Sequence, residues 1–403
     1  MTLNLQEKRA AAQEIFMAGV AAADPGDAVA RALKARPVEP GATIIAVGKA
    51  ALRMAEAARA EVENPREILI VTNPENARDV AGAEVFAASH PVPDTQGLRA
   101  AEAVEAALRR ADHVLALLSG GGSALLPAPV KGLTLDDKIG VNELLLASGA
   151  DITQMNLVRQ SLSRLKGGGF LRAAAPAPVR ALILSDVVGD DLSTIASGPT
   201  APPLGTRADA ARVLEAIGLL DRVPEAVRQI LAAPEEAWEG PSAENELVGS
   251  NTASVMAMAA AARAYGLPVH VHAPALTGDV EEAARRVAGT TDPGIHLFGG
   301  ETTVTLRGSG KGGRNQELAL RVALHLRRGD WVYLQAGTDG RDGPTDAAGA
   351  VVDAERLAAM QQGGDLLAQL ENNDAYHALK PAGALLVTGA TGTNVADLGV
   401  LIR

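Results

Sequence analysis

Short runs of β-branched and aliphatic residues alternate with alanine- and leucine-rich stretches of helical period along most of the chain. Many of the short runs end in glycine and polar residues. Parallel strands need crossover connections, and helices supply them, so this alternation predicts an α/β architecture built on mainly parallel sheets. Strands are read at TIIAVG, EILIVTN, VFAASH, HVLALLSGG and VRALILSDV, with helices near 49–60, 97–111, 133–148 and 152–165. The turn-forming segment VVGDDLSTIASGPTAPPLGT reads as a long loop leaving a strand end. A second series, ELVGS, VHVHA, IHLFGGETTVTL, WVYLQAGTDG and ALLVTGATGTN, follows LAAPEEAWEGPSAEN, which reads as a linker or surface crossing. NTASVMAMAAAARAYG is the clearest helix, with Asn251 or Thr252 as its cap. A chain of 403 residues exceeds one ordinary core, and the domain boundary is placed near 235–245. In open α/β sheets ligands bind outside the carboxyl ends of the strands. Chemistry is therefore expected along one edge of each domain, in the cleft between them.

Composition narrows the function. A net charge of −11 argues against a nucleic-acid partner. It also means that an anionic substrate must be met by local cations, so lysines and arginines inside glycine loops carry weight. There is no cysteine, which removes disulfides, thiolate zinc sites and cysteine nucleophiles and is compatible with a reducing compartment. The start, MTLNLQEKRAAAQEIFMAG, lacks the basic and unbroken apolar regions of a secretion signal. The longest apolar runs are too short to span a bilayer. A cytoplasmic protein without a membrane partner is expected. A homodimer is the base-rate expectation for its assembly.

Several loops can carry chemistry. Ser119, Gly120, Gly121, Gly122 and Ser123 follow a buried strand directly, where glycine lets backbone N–H groups approach an anion; the alternative is a tight strand-to-helix turn. The loop is neither a Walker A sequence nor a serine-hydrolase elbow. Lys49 opens a helix after TIIAVG, where helix stability gives no reason for a cation. It can serve as a point charge for a carboxylate or phosphate, or be a solvated surface lysine. Asp186, with Asp190 and Asp191, stands at a strand end, suited to Mg²⁺ or to accepting a proton, or to capping a turn. Gly308, Gly310 and Gly313 have the G-x-G-x-x-G spacing of a dinucleotide loop. The run that follows, GGRNQE, contributes Arg314, whose rigid fork of donors suits carboxylate or phosphoryl oxygens; pairing with Glu301 or Glu317 is the structural alternative. Glu301, Asp339, Asp342 and Asp346 repeat a pattern of acids beside glycines, which suits a Mg²⁺-nucleotide enzyme or simple turns. The seven histidines show no ligand spacing. His90 in SHPVPD, and His270 with His272 on one strand face, read as structural.

Together AVGKAA, SHPVPD, LLSGGGSALL, LSDVVGDDLSTIASGPT, FGGETTV, GGRNQELAL and AGTDGRDGPTDAAG resemble the glycerate 2-kinase family, in order over nearly the whole chain. The resemblance implies a Rossmann-like three-layer α/β domain at 1–238 and a MOFRL-type α/β domain with a mixed sheet at 239–403. It implies ATP-dependent phosphorylation of D-glycerate at the 2-hydroxyl with Mg²⁺. Lys49 and Arg314 are then expected at the active cleft and the Gly120–Ser123 loop at the nucleotide phosphates, with Gly313 and Asn315 beside them. Asp186, Glu301 and Asp339 are the acids for Mg²⁺ or for the hydroxyl proton, with Asp186 placed in the catalytic set. Part of the family carries the name hydroxypyruvate reductase, so an NAD(P)H enzyme using the Gly308–Gly313 loop stands as the alternative.

Overall fold

The computed structural model describes residues 3–234 and 238–403. The chain divides into two compact units, Pro25–Val248 and a second made of the residues up to Asp24 with Gly249–Arg403. Residues 235–237, in the stretch read as a linker, lie outside the described residues.

The first unit is built on a six-stranded sheet of β1 (Thr43–Val47), β2 (Glu67–Thr72), β3 (Glu84–Ala87), β4 (Val114–Leu118), β5 (Val179–Leu184) and β6 (Glu244–Gly249), in the order β3-β2-β1-β4-β5-β6. Neighbours from β3 to β5 pair in parallel. Every residue of β1, β4 and β5 is buried, as expected of parallel strands covered on both faces. Helix Thr95–Arg110 packs Ala100, Ala101, Val104, Ala107 and Leu108 into that core. It starts where the Asp94 side chain accepts from the Gly97 N–H at 2.9 Å. Helices Leu135–Ala147, Ile152–Ser161, Arg207–Ala216 and Glu225–Ala232 surround a separate core that includes Val141, Leu145, Val158, Leu214 and Val227. Three of them open with reciprocal capping boxes, Thr134 with Asp137, Asp151 with Gln154 and Thr206 with Asp209. The strand ELVGS, read as the start of the second series, instead completes this parallel sheet as β6.

The second unit carries β7 (Val269–Val271), β8 (Leu276–Asp279), β9 (Ile295–Thr303), β10 (Val332–Gly337), β11 (Gly349–Asp353), β12 (Leu385–Leu386) and β13 (Asp397–Ile402). The order is β12-β11-β10-β13-β9-β7, with β8 also on β9. The sheet is mixed: β7 and β8 run parallel to β9, and the pairs from β9 through β13, β10 and β11 to β12 are antiparallel. Helix Leu5–Ala22 belongs here, because Ala11, Ala12, Ile15, Phe16 and Val20 share a core with Met258, Leu398 and Val400. The division at 1–238 and 239–403 therefore differs from the packing at both ends. The N-terminal helix buries its apolar face in the second unit, and the first unit runs on to Val248. Helix Asn251–Ala262 is capped by Ser250, whose hydroxyl accepts from the Ala253 N–H at 3.2 Å, rather than by Asn251 or Thr252. Among the described residues no helix is long and apolar enough to cross a membrane.

Candidate active site

In the parallel unit the carboxyl ends of β1, β4 and β5 bring Lys49, the Ser119–Ser123 loop and Asp186 together. The Lys49 N–H donates to the Gly120 carbonyl at 2.9 Å, and the Ser119 hydroxyl accepts from the Ala50 N–H at 3.1 Å. A Cβ on Gly120 would lie 1.8 Å from Asp186 Oδ2, so only glycine allows the loop to pass this close to the carboxylate. Gly121 takes φ +86°, and a Cβ there would meet Lys49 Cγ at 3.2 Å and His90 Cδ2 at 3.3 Å. The loop turns into the short helix Gly122–Leu125. Among the described residues, nothing accepts a hydrogen bond from the N–H groups of Gly120, Gly121, Gly122 or Ser123. Four successive free donors beside a lysine form a nest for anionic oxygens. Behind them the Ser123 hydroxyl meets that of Ser197 at 2.7 Å, and Ser197 donates to Asn156 Oδ1 at 2.9 Å. Burial pushes the Asp186 carboxyl above its ordinary value, offset in part by its own backbone N–H and by the Lys49 charge. Burial and then Lys49 hold His90 below the usual imidazole range.

Beside this loop lies a cavity of about 300 Å³, lined by His90, Gly121, Ser123, Lys138, Arg159 and Lys166 together with an apolar wall that includes Pro127, Val141 and Leu162. The three cations were not singled out from the sequence. The one legible signal was Lys166 standing directly before the glycine run 167–169.

In the mixed-sheet unit, β13 lies between β9 and β10, with Asp397 opposite Gly300 on one side and Gly337 on the other. Glu301 is thus the next residue along β9 from the partner of Asp397, and Asp339 follows the end of β10. Arg314, first residue of helix Arg314–Leu326, binds the buried Asp397 with Nε to Oδ2 at 2.6 Å and Nη2 to Oδ1 at 3.0 Å, and its Nη1 stands 3.0 Å from Glu301 Oε1. Burial opposes the charge on Arg314, yet Asp397 and Glu301 hold its pKa above the ordinary value. Of the two partners anticipated for Arg314, Glu301 is present and Glu317 is not; Glu317 pairs with Arg321 instead. Asn315 donates to Asp397 Oδ1 at 3.0 Å and accepts from Gln335 Nε2 at 2.9 Å, so it serves this buried network. Asp342 accepts from the Asn315 and Gln316 N–H groups at 3.1 and 2.8 Å, and a Cβ on Gly313 would lie 2.3 Å from it. Burial pushes Asp342 up to about 6 against those two hydrogen bonds. Asp397, the hub, had no motif to announce it: it opens a strand after the turn NVA.

The first part of the G-x-G-x-x-G loop, Arg307 to Lys311, does not present free donors. The N–H groups of Arg307 and Gly308 donate to Asn373 Oδ1, that of Ser309 to Asn372 Oδ1, that of Gly310 to the Asn372 carbonyl and that of Lys311 to Asp374 Oδ1. These five groups are spent on the chain itself, whereas a dinucleotide loop keeps such groups for pyrophosphate; among the described residues nothing accepts from the N–H groups of Gly312 and Gly313 at the helix start. Among the described residues no group of three or more His, Cys, Asp or Glu side chains could hold a metal ion. His270 and His272 stack on His296 of the neighbouring strand at 4.6 and 5.1 Å between ring centroids, in keeping with a structural role.

Residues 11–232 match a domain of unknown function, DUF4147, and residues 294–397 match the MOFRL family. The D-glycerate 2-kinase of Thermotoga maritima is 40% identical over 88% of this chain and 89% of its own length. The chain belongs to the glycerate kinase family. The human glycerate kinase is 35% identical over 97% of this chain and 92% of its own length. A protein of Agrobacterium vitis named "Putative hydroxypyruvate reductase" is 41% identical over 100% of this chain and 96% of its own length. Among solved structures, the crystal structure of the Thermotoga maritima glycerate kinase superposes with a TM-score of 0.90 at 37% identity, covering 98% of both chains. The glycerate kinase fold is thus the one described above, a parallel α/β unit and a mixed-sheet unit.

Proposed function

We propose that the protein is a glycerate 2-kinase, which transfers the γ-phosphoryl group of ATP to the 2-hydroxyl of D-glycerate and releases 2-phosphoglycerate and ADP. One observation carries this reading at the level of the site: four free backbone donors at Gly120–Ser123, flanked by Lys49 and Asp186, in a chain of the glycerate kinase family. Phosphoryl transfer asks for positioning and charge neutralisation more than for covalent chemistry, and this loop offers both.

In the reaction the 2-hydroxyl oxygen bonds to the γ-phosphorus while the bond to the β–γ bridging oxygen breaks, and ADP leaves with that electron pair. The Gly120–Ser123 donors hold phosphate oxygens. Lys49 and Arg314 are each the proposed cation for an anionic reactant, the acid's carboxylate or the γ-phosphoryl oxygens. A guanidinium has five N–H donors; Arg314 gives three to Asp397 and Glu301, which leaves two for a reactant. Asp186 accepts the hydroxyl proton on its carboxylate, and the upward push on its pKa makes it a better base.

Mg²⁺ supplies charge neutralisation on the phosphates when bound. The acids named for it differ in fit. Glu301 is paired with Arg314 and Asp339 accepts from the Arg341 N–H, whereas among the described residues the Asp186 carboxylate takes no hydrogen bond from another side chain. Mg²⁺ is commonly held by one or two carboxylates with phosphates and water, so Asp186 is the residue that would hold it, as the alternative to its role as proton acceptor. A chain without cysteine is compatible with a reducing cytoplasmic setting.

The test is direct. Purified protein with D-glycerate, ATP and Mg²⁺ should release ADP, and phosphorus NMR should identify 2-phosphoglycerate. NADH with hydroxypyruvate should remain unoxidised. The opposite pattern would replace the kinase reading by the reductase, for which the occupied donors of Gly308 to Lys311 offer no support.

A further inference from the structure

The cavity beside the glycine loop has an unusual charge arrangement. Lys138 Nζ donates to the Leu162 carbonyl at 3.0 Å, Lys166 Nζ to the Ser123 carbonyl, and Arg159 to Asn142 Oδ1 at 2.9 and 2.6 Å. All these partners are neutral, and among the described residues no carboxylate forms an ion pair with any of the three cations. Arg164 close by is neutralised by Glu105 at 2.9 Å, so the imbalance belongs to the cavity and not to the neighbourhood. Lys166 is buried at 6% exposure. Buried cations without a counter-charge are costly unless something supplies that charge. The cost is visible: burial, then the charges of Arg159 and Arg164, drive Lys138 down to about 7, and burial with Lys138 and Arg159 depresses Lys166 as well.

We infer that this cavity is the seat of the nucleoside polyphosphate, with Lys138, Arg159 and Lys166 binding its phosphate chain and the Pro127, Val141, Leu146 and Leu162 wall receiving its base. The inference rests on the kinase reading and deepens it. Three features choose this occupant over the hydroxy acid. Three unpaired cations match a polyanion, whereas a three-carbon acid brings a single carboxylate. A cavity of about 300 Å³ with an apolar wall is far larger than such an acid needs. It also opens on Gly121 and Ser123, members of the loop whose free donors are proposed to hold phosphate oxygens. Chain continuity supports this: Lys166 reaches the carbonyl of Ser123, so a cation braces the loop at the point where the phosphates would enter.

Calorimetric titration of ADP with Mg²⁺, adenosine and D-glycerate into wild type, Lys138→Met and Arg159→Met tests it, with thermal melting to confirm folding. Both residues are only half-buried, so these variants are safer than Lys166→Met. Loss of one charge-assisted contact should weaken ADP by roughly 10- to 100-fold and leave adenosine and D-glycerate unchanged. ADP affinity within about twofold of wild type in both folded variants overturns the inference, as does a loss that falls on D-glycerate. If wild type binds ADP in this pattern yet transfers no phosphoryl group, the kinase reading fails and the cavity assignment stands. If wild type phosphorylates D-glycerate while the variants bind ADP normally, the cavity assignment fails alone.

Discussion

Arg314 and Asp397 form a two-point ion pair, Nε to Oδ2 at 2.6 Å and Nη2 to Oδ1 at 3.0 Å, across the start of a central strand. The arginine that heads GGRNQE is therefore a structural partner as well as a proposed catalytic one. Its removal has two consequences that must be separated. Arg314→Ala leaves the buried Asp397 with Asn315 as its remaining side-chain donor, which should cost about 3 kcal/mol of stability along with at least about 100-fold in kcat. Arg314→Met with Asp397→Asn removes both charges and should recover most of the melting temperature. If kcat returns with stability, Arg314 acts only by holding the fold; a stable but inactive double variant places it on the reactants.

Asp186 offers a second separation. Gly120→Ala would drive a methyl group into Asp186 Oδ2, and a displacement of that size should lower kcat by about 100-fold with the protein still folded. Asp186→Asn should lower kcat by about 100- to 10,000-fold. As a base, the group must be ionised. Burial raises its pKa, so the acid limb of kcat/KM in wild type should fall above the ordinary carboxylate range and disappear in Asp186→Asn. A Mg²⁺ titration decides between its two roles. The expected result is a deficit that excess Mg²⁺ does not repair; full rescue by Mg²⁺ would make Asp186 a metal ligand instead.

Asn373 holds the G-x-G-x-x-G loop in place, accepting from the Arg307 and Gly308 N–H groups at 2.7 and 3.1 Å and donating to the Thr305 carbonyl at 3.2 Å. Asn373→Ala should cost about 2 kcal/mol, read as a lower melting temperature. Wild-type protein should show no saturable NADH binding by fluorescence. Tight NADH binding that Asn373→Ala abolished would return the loop to a cofactor role.

Much of this was legible in the chain. The strands of the parallel sheet that are buried on both faces, β1, β4 and β5, announce themselves as unbroken apolar runs, and the glycine loop after β4 lies where the pattern placed it. The rest depended on tertiary partners. β8 and β11, at four and five residues, contain Gly278 and Gly349, which weaken any strand signal. ELVGS looks alike in either sheet, and only pairing assigns it. The helix Leu5–Ala22 has a weakly contrasted apolar face, so nothing local shows that it packs with the distant C-terminal part of the chain. At the site, Lys49 and Asp186 could be singled out because each follows a strand directly. Lys138 and Arg159 sit in helix interiors, where a cation is ordinary, and acquire meaning only when two helices place them in one cavity with Lys166.

That cavity carries a pH signature in the ligand-free protein. An unfolded lysine titrates near 10.4, while burial first, then Arg159 and Arg164, bring folded Lys138 down to about 7. Between those values the unfolded chain binds more protons than the folded one, so this group's contribution to stability rises with pH. Below about pH 7 its penalty is complete; toward pH 10 it vanishes. Lys138→Met should therefore raise the melting temperature most at pH 7 and below, and the gain should shrink as pH increases. Lys166 shifts in the same direction and His90 is also depressed, so the comparison must be made against wild type at each pH. A bound polyphosphate reverses the cause by supplying negative charge. At pH 8.5 ADP binding should take up protons, measured by calorimetry in two buffers of different ionisation enthalpy. His90 stays neutral at that pH, which leaves the two lysines as the acceptors. Uptake should fall in Lys138→Met and persist in part through Lys166; equal uptake in variant and wild type would mean that the phosphates do not reach Lys138.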